Sequence, residues 1–276
     1  MPSMKKLILI LSVVLIAVPV MAQESAADAA EIAYLLGQGY YKQGNVDAAI
    51  AKFNEAIAKN PFNAFAYVER GQAYMDKGNN NQAVADFNKA ISMDPNNADV
   101  WQARANAYLR AGKTNEAIAD FTKALTLETK DLYLYTGRAE AYIARGGRDD
   151  VNLAIADYGR AIAIDPKFID AWLSRAQMYL DRGEIDRAIQ DLTKAIELEP
   201  NNAEVFSSRG QAYLVKEDFN RAIADFTKVI TLEPNSFGGW RDRGIAYMAK
   251  DDLANGVKDL EKANELASGN QVINKR

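Results

Sequence analysis

Apolar residues come in short bursts at helical spacing, and the bursts recur every 34 residues along the chain. Counted from Ala64, one unit carries Tyr67 at position 4, Gly71 at 8, Tyr74 at 11, Ala83 at 20, Phe87 at 24 and Ala90 at 27. Apolar or small residues at 4, 8 and 11, then at 20, 21, 24, 27 and 28, predict two amphipathic helices per unit, A and B. Gly44, Gly78, Gly112 and Gly183 at position 15 predict a left-handed stop after helix A. Pro at 32 ends helix B, since it lacks a donor and pushes its predecessor out of the α region. Asn97 and Asn202 stand where a side chain caps the next helix A.

The register holds through seven units: 30–63, 64–97, 98–131, 132–168, 169–202, 203–236 and 237–270, the fourth longer by three residues. Position 11 is Tyr in all seven, and position 27 is Ala in all but one, where Val229 replaces it. A fixed period with fixed small and aromatic positions marks a repeat architecture. In spacing and residue type, residues 30–270 resemble the tetratricopeptide repeat (TPR) family. The resemblance implies an all-α, right-handed TPR solenoid, an α-α superhelix of helix-turn-helix repeats.

Comparison of the units with one another exposes a further pattern. Six have Arg at position 7 (Arg70, Arg104, Arg138, Arg175, Arg209, Arg243) and Asp at 23 (Asp86, Asp120, Asp157, Asp191, Asp225, Asp259). The first has neither, with Leu36 and Lys52 instead. Joint gain or loss predicts a structural ion pair between the helices of each unit; the alternative is independently solvated charges.

The first 22 residues differ in kind. Lys5 and Lys6 precede the apolar run Leu7–Val20, and Val20-Met21-Ala22 places small residues where a signal peptidase cuts. Residues 1–22 read as a secretory signal peptide cleaved after Ala22, with export to a bacterial periplasm; the alternative is an uncleaved inner-membrane anchor over residues 4–22. Residues 23–29 form a short lead-in and 271–276 a frayed tail. In the last unit Gly256, Asn264 and Ser268 replace the usual residues at 20, 28 and 32, as on a polar cap.

Composition narrows the chemistry. The chain has no Cys and no His. Disulfides, thiolate metal sites and Ser-His-Asp or Cys-His sets are thereby excluded, and no enzyme activity, cofactor or metal is expected. Gly37-x-Gly39 lacks both the spacing and the preceding strand of a nucleotide loop. Residues 144–154, with Gly146-Gly147 and Asp149-Asp150, read as a lengthened A–B turn with solvated charges, against a metal or phosphate loop. The net charge of −4, which falls to −6 without Lys5 and Lys6, offers no basic face for nucleic acid.

The resemblance also implies a concave groove lined by helix A positions 2, 5, 6, 9, 12 and 13. Position 12 reads Tyr41, Met75, Leu109, Ile143, Leu180, Leu214 and Met248, an apolar stripe open to two readings, packing or binding. Position 9 reads Gln38, Gln72, Asn106, Glu140, Gln177, Gln211 and Ile245. Its amides are able to pair with an extended peptide backbone. The six groove positions hold nine acids and three bases. Chaperone-binding TPR proteins clamp a terminal carboxylate with Lys, Arg and Asn; Tyr34, Val68 and Gln102 at position 5 do not reproduce that clamp. Tyr34, Phe62, Phe65 and Val68 make the N-terminal end the aromatic-rich anchor.

The expected function is therefore a non-catalytic scaffold binding a neutral-to-basic protein segment with apolar anchors. The alternative is an assembly module that self-associates or docks a subunit through convex or edge surfaces, membrane-tethered if the N-terminal segment stays.

Overall fold

A computed structural model describes residues 27–273. The expected signal segment, most of the lead-in and residues 274–276 of the tail lie outside the described residues. Every regular element among the described residues is a helix. The first, α1, spans 27–42. It is followed by α2 Val46–Lys59, α3 Ala64–Asp76, α4 Asn80–Met93, α5 Ala98–Arg110, α6 Thr114–Leu127 and α7 Leu132–Arg145. Then come α8 Asp150–Ile164, α9 Ile169–Asp181, α10 Ile185–Leu198, α11 Ala203–Val215, α12 Phe219–Leu232, α13 Phe237–Ala249 and α14 Leu253–Ile273. Odd-numbered helices are the A helices and even-numbered ones the B helices, one hairpin per sequence unit.

The helix ends follow the local chemistry read from the sequence. Asn97 accepts hydrogen bonds from the Asp99 and Val100 amides, and Asn202 from those of Glu204 and Val205. Gly44, Gly78, Gly112 and Gly183 have φ of +73 to +77°, and Gly146 joins them at +67°. The same position in the last two hairpins is held by Glu217 and Asp251, at φ +62 and +66°. The left-handed turn is thus imposed by the repeat even where the residue does not favour it.

The chain forms two compact units, one up to Lys130 and one from Asp131. The first contains hairpins α1/α2, α3/α4 and α5/α6, and the second contains the remaining four. Each hairpin is centred on position 24 of its B helix. Phe53, Phe87, Phe121 and Phe226 are fully buried there, each contributing about 1.5–3 kcal/mol of hydrophobic burial. The facing position 8 is small for a steric reason: a Cβ on Gly71 would lie 2.8 Å from the Phe87 ring. Within a unit the cores run on from one hairpin to the next. Ala56 of α2 packs against Ala66 of α3, and Val100 of α5 joins Phe87 and Ile91 of α4.

Candidate functional site

The six arginines at position 7 and the six aspartates at 23 are brought together, from Arg70–Asp86 to Arg243–Asp259. In each pair Nε and Nη2 donate to the two carboxylate oxygens at 2.6 to 3.0 Å. The aspartates are only 3–5% exposed. Hydrogen bonding to Asp120 holds the Arg104 guanidinium above its ordinary pKa, outweighing the opposing effect of burial. Each guanidinium also lies between two aromatic rings, at positions 4 and 11. Arg104 is 4.8 Å from the Trp101 ring centre and 5.6 Å from that of Tyr108. This stacking accounts for the tyrosine at position 11 in six hairpins.

A third partner was not visible in the sequence. Nη1 of Arg70, Arg104, Arg209 and Arg243 donates to Asn54, Asn88, Thr193 and Thr227, at position 25 of the preceding hairpin. One side chain therefore joins its own B helix to the B helix before it. Where position 4 is Trp, its Nε1 donates to the preceding proline carbonyl, as from Trp101 to Pro95 at 2.9 Å. Chemically these are fastenings between helices, and Trp172, Arg175 and Asp191 also line a cleft of about 500 Å³.

The groove positions lie along the A helices, and many of their side chains bond to one another. Gln38 donates to Tyr34 at 2.9 Å and to Glu69 of the next A helix at 3.1 Å. Tyr41 donates to Asp76, which also accepts from Gln72. Burial, followed by the hydrogen bond to Asp76, pushes the Tyr41 hydroxyl up to about 12. Gln177 donates to Asp181 at 2.8 Å, and Gln211 reaches Asp242 at 3.5 Å. The amide ladder is therefore partly engaged: carboxylates accept from Gln38, Gln72, Gln177 and Gln211, and an amide so held keeps a carbonyl oxygen able to accept.

The apolar stripe is likewise broken. Met75 is 4% exposed and sits in the core between hairpins, and Leu180 and Leu214 pack beside buried clusters. Leu109 is half-buried, whereas Ile143 and Met248 are open. Packing thus takes Met75 out of the set of possible anchors. Glu140 is exposed and Asn106 half-buried.

At the N-terminal end only part of the aromatic cluster is open. Phe62 and Phe65 are 85% and 69% exposed, but Tyr34 is half-buried and Val68 packs on the core. A cleft of about 630 Å³ in this region is lined by Phe62, Tyr67, Lys89 and Met93, away from the groove positions. A smaller one, of about 140 Å³, does open among groove positions. It lies between the fifth and sixth hairpins, lined by Leu173, Gln177, Leu180, Glu204 and Ser208 over the buried Ala176, Leu192 and Val205.

In the long turn of the fourth hairpin Asp149 is exposed, but Asp150 is buried. The expectation of solvated charge fails for Asp150. Its carboxylate accepts from Arg145 Nε and Nη2 at 2.9 and 2.5 Å and from the Gly147 amide at 2.6 Å. Three extra residues need an internal closure, and this clasp supplies it. Among the described residues no group of three Asp, Glu, His or Cys side chains is placed to hold a metal ion. No helix among them is long and apolar enough to cross a membrane.

Comparison with known proteins agrees with this architecture. No curated protein matches the chain. Among solved structures, MamA is 27% identical over 61% of this chain and 96% of its own, with a TM-score of 0.56. A tetratricopeptide repeat protein from Parabacteroides merdae is 21% identical over 90% of this chain and 97% of its own, with a TM-score of 0.63. YrrB, a TPR protein with an unusual peptide-binding site, is 22% identical over 68% and 95%, with a TM-score of 0.56. Family profiles described as TPR repeat match residues 37–78, 71–112 and 176–216, and others described as tetratricopeptide repeat match 98–131, 158–190 and 203–236. With seven hairpins in one register and profile matches over most of its length, the chain belongs to the tetratricopeptide repeat family.

Proposed function

We propose that this TPR protein is an exported, non-catalytic scaffold that captures a segment of another protein along its A-helix groove, in the bacterial envelope. The carrying observation is the notch between the fifth and sixth hairpins. Buried Ala176, Leu192 and Val205 lie beneath it, its volume suits one aliphatic side chain, and the polar Gln177, Glu204 and Ser208 make up much of its wall. An aliphatic anchor seated there would place the partner's backbone N–H groups within reach of the Gln177 carbonyl, and a basic neighbour near Glu204. The peptide-binding site of YrrB gives the reading a precedent in the same fold. Because the amides and several acids already bond to one another, binding exchanges internal hydrogen bonds for intermolecular ones. That exchange predicts modest affinity.

Site-specific photocrosslinking in cells tests the reading. A crosslinker at Gln177, in the groove, is expected to give a discrete adduct that Ser208→Leu, which fills the notch, removes. A crosslinker at the exposed Gln190 of α10 is expected to give none. Adducts from Gln190 alone would replace groove capture with assembly through B-helix surfaces. N-terminal sequencing of the recovered protein is expected to begin at Gln23.

A further inference from the structure

The face of α1 that points away from α2 is covered by nothing among the described residues. In the next two hairpins the corresponding positions 3 and 10 are Ala66, Ala73, Val100 and Ala107, all at most 4% exposed. Ala66 packs with Ala33 and Ala56 of the hairpin before it, and Val100 and Ala107 with Met75 and Phe87 of theirs. No hairpin precedes α1 among the described residues, yet its face is not polar. Ile32 and Leu35 are 59% and 54% exposed, and Leu36 stands where the other hairpins carry the arginine. This differs from the other end of the array, where Asn264 replaces the usual Ile or Leu at position 28.

We infer that α1 is a self-association surface, packing antiparallel against α1 of a second copy about a two-fold axis near Leu35. This goes beyond groove capture, and it shares Leu35 and Lys42, at positions 6 and 13 of the first unit, with the groove. Residues 28, 32, 35, 39 and 42 are spaced four, three, four and three apart, which aligns them in one stripe along the helix. They read Asp28, Ile32, Leu35, Gly39 and Lys42.

Three features select a second copy as the occupant. First, an antiparallel pairing centred on Leu35 sets Asp28 of one copy opposite Lys42 of the other, twice per dimer. Both side chains are exposed and neither pairs with another described residue. Second, Gly39 lies inside a helix, where glycine is less stable than alanine. A Cβ there would meet nothing within 4 Å. No contact among the described residues requires the glycine, whereas a helix crossing at the short end of the usual range of about 8–10 Å does. Third, a two-fold contact is self-complementary and closes after two copies. Stacking α1 on the last hairpin of another copy would bury Asn264 and Ile32 together and would lead to open fibres. The contact is small, so a dissociation constant in the micromolar range is expected.

Sedimentation equilibrium of the protein as recovered from cells, at loading concentrations spanning that range, tests the inference. The wild type is expected to show a monomer–dimer equilibrium. Leu35→Glu is expected to weaken it by more than about tenfold. It should leave the far-UV circular dichroism unchanged, because the side chain already faces solvent. Asp28→Lys should weaken the dimer and Asp28→Lys with Lys42→Asp should recover it, since the double exchange restores both pairs. A monomer at every concentration, or a dimer indifferent to Leu35→Glu, overturns the inference. So does a double exchange that fails to recover what Asp28→Lys lost, which would point to end-to-end stacking instead.

Discussion

Arg209 donates twice to Asp225 and once to Thr193, and its guanidinium lies 5.8 Å from the ring centres of both Phe206 and Tyr213. A charge so placed costs most when it is left behind alone. Asp225→Ala is therefore expected to destabilise by about 3–5 kcal/mol, because the arginine stays half-buried without its counter-charge. Arg209→Met keeps the apolar stem between the rings and should cost less. The double variant should fall short of the sum of the two singles by about 1–3 kcal/mol. Urea denaturation of the four proteins reads this coupling directly, and additive effects would mean that the pair is merely adjacent. The pairing was legible because the first unit lacks both members at once. Lys52 there pairs instead with Glu55, three residues on, at 2.8 Å. Position 25 was not legible: Asn54 and Thr193 resemble any exposed polar helix residue, and the arginine they serve belongs to the following unit.

At the level of single elements, the turns show how a repeat overrides its own sequence. Five glycines mark the left-handed position, but Glu217 and Asp251 hold it equally well, so its conservation of shape is broader than its conservation of residue within the chain. The last helix runs into the expected tail, to Ile273, because Ser268 stands where a proline would have stopped it. The fourth turn hides an ion pair that spacing alone does not reveal. Hydrogen bonds from Arg145 hold the Asp150 carboxyl below its ordinary value of 3.8, with the Gly147 amide adding to the effect. A carboxyl depressed in the folded state stabilises it above the ordinary value and loses that contribution as pH falls through the folded one. The turn at 146–149 is therefore expected to open in acid, below about pH 3.8. Hydrogen exchange of the Gly147 amide, corrected for its intrinsic rate, should show protection that collapses in acid. In Asp150→Asn the protection should be weak at every pH; an unchanged acid profile in that variant would dissociate the turn from this carboxyl.

For the molecule as a whole, the periodicity gave the helices and their partners, but not which groove side chains are free. That depends on how far one A helix is rotated against the next, and it decides whether Gln38 meets Glu69 or solvent. The same neighbour-by-neighbour construction governs how a defect spreads. From Asp131 onward each helix packs on those adjacent in the chain, with α11 also meeting α13, and contacts between more distant helices are sparse. Stability in such a stack is a sum of local terms and nearest-neighbour terms. Loss of the Arg209 fastening should thus loosen α11 and α12 first and the adjoining α10 and α13 next. Helices α3 and α4, far away in the repeat order, should keep their protection. Mapping backbone hydrogen exchange in Asp225→Ala against the wild type tests this at peptide resolution. A graded loss centred on residues 203–236 is the expected pattern. Equal loss in residues 64–97 would mean that the array unfolds as one cooperative body, and that the fastenings act through the global equilibrium and not hairpin by hairpin.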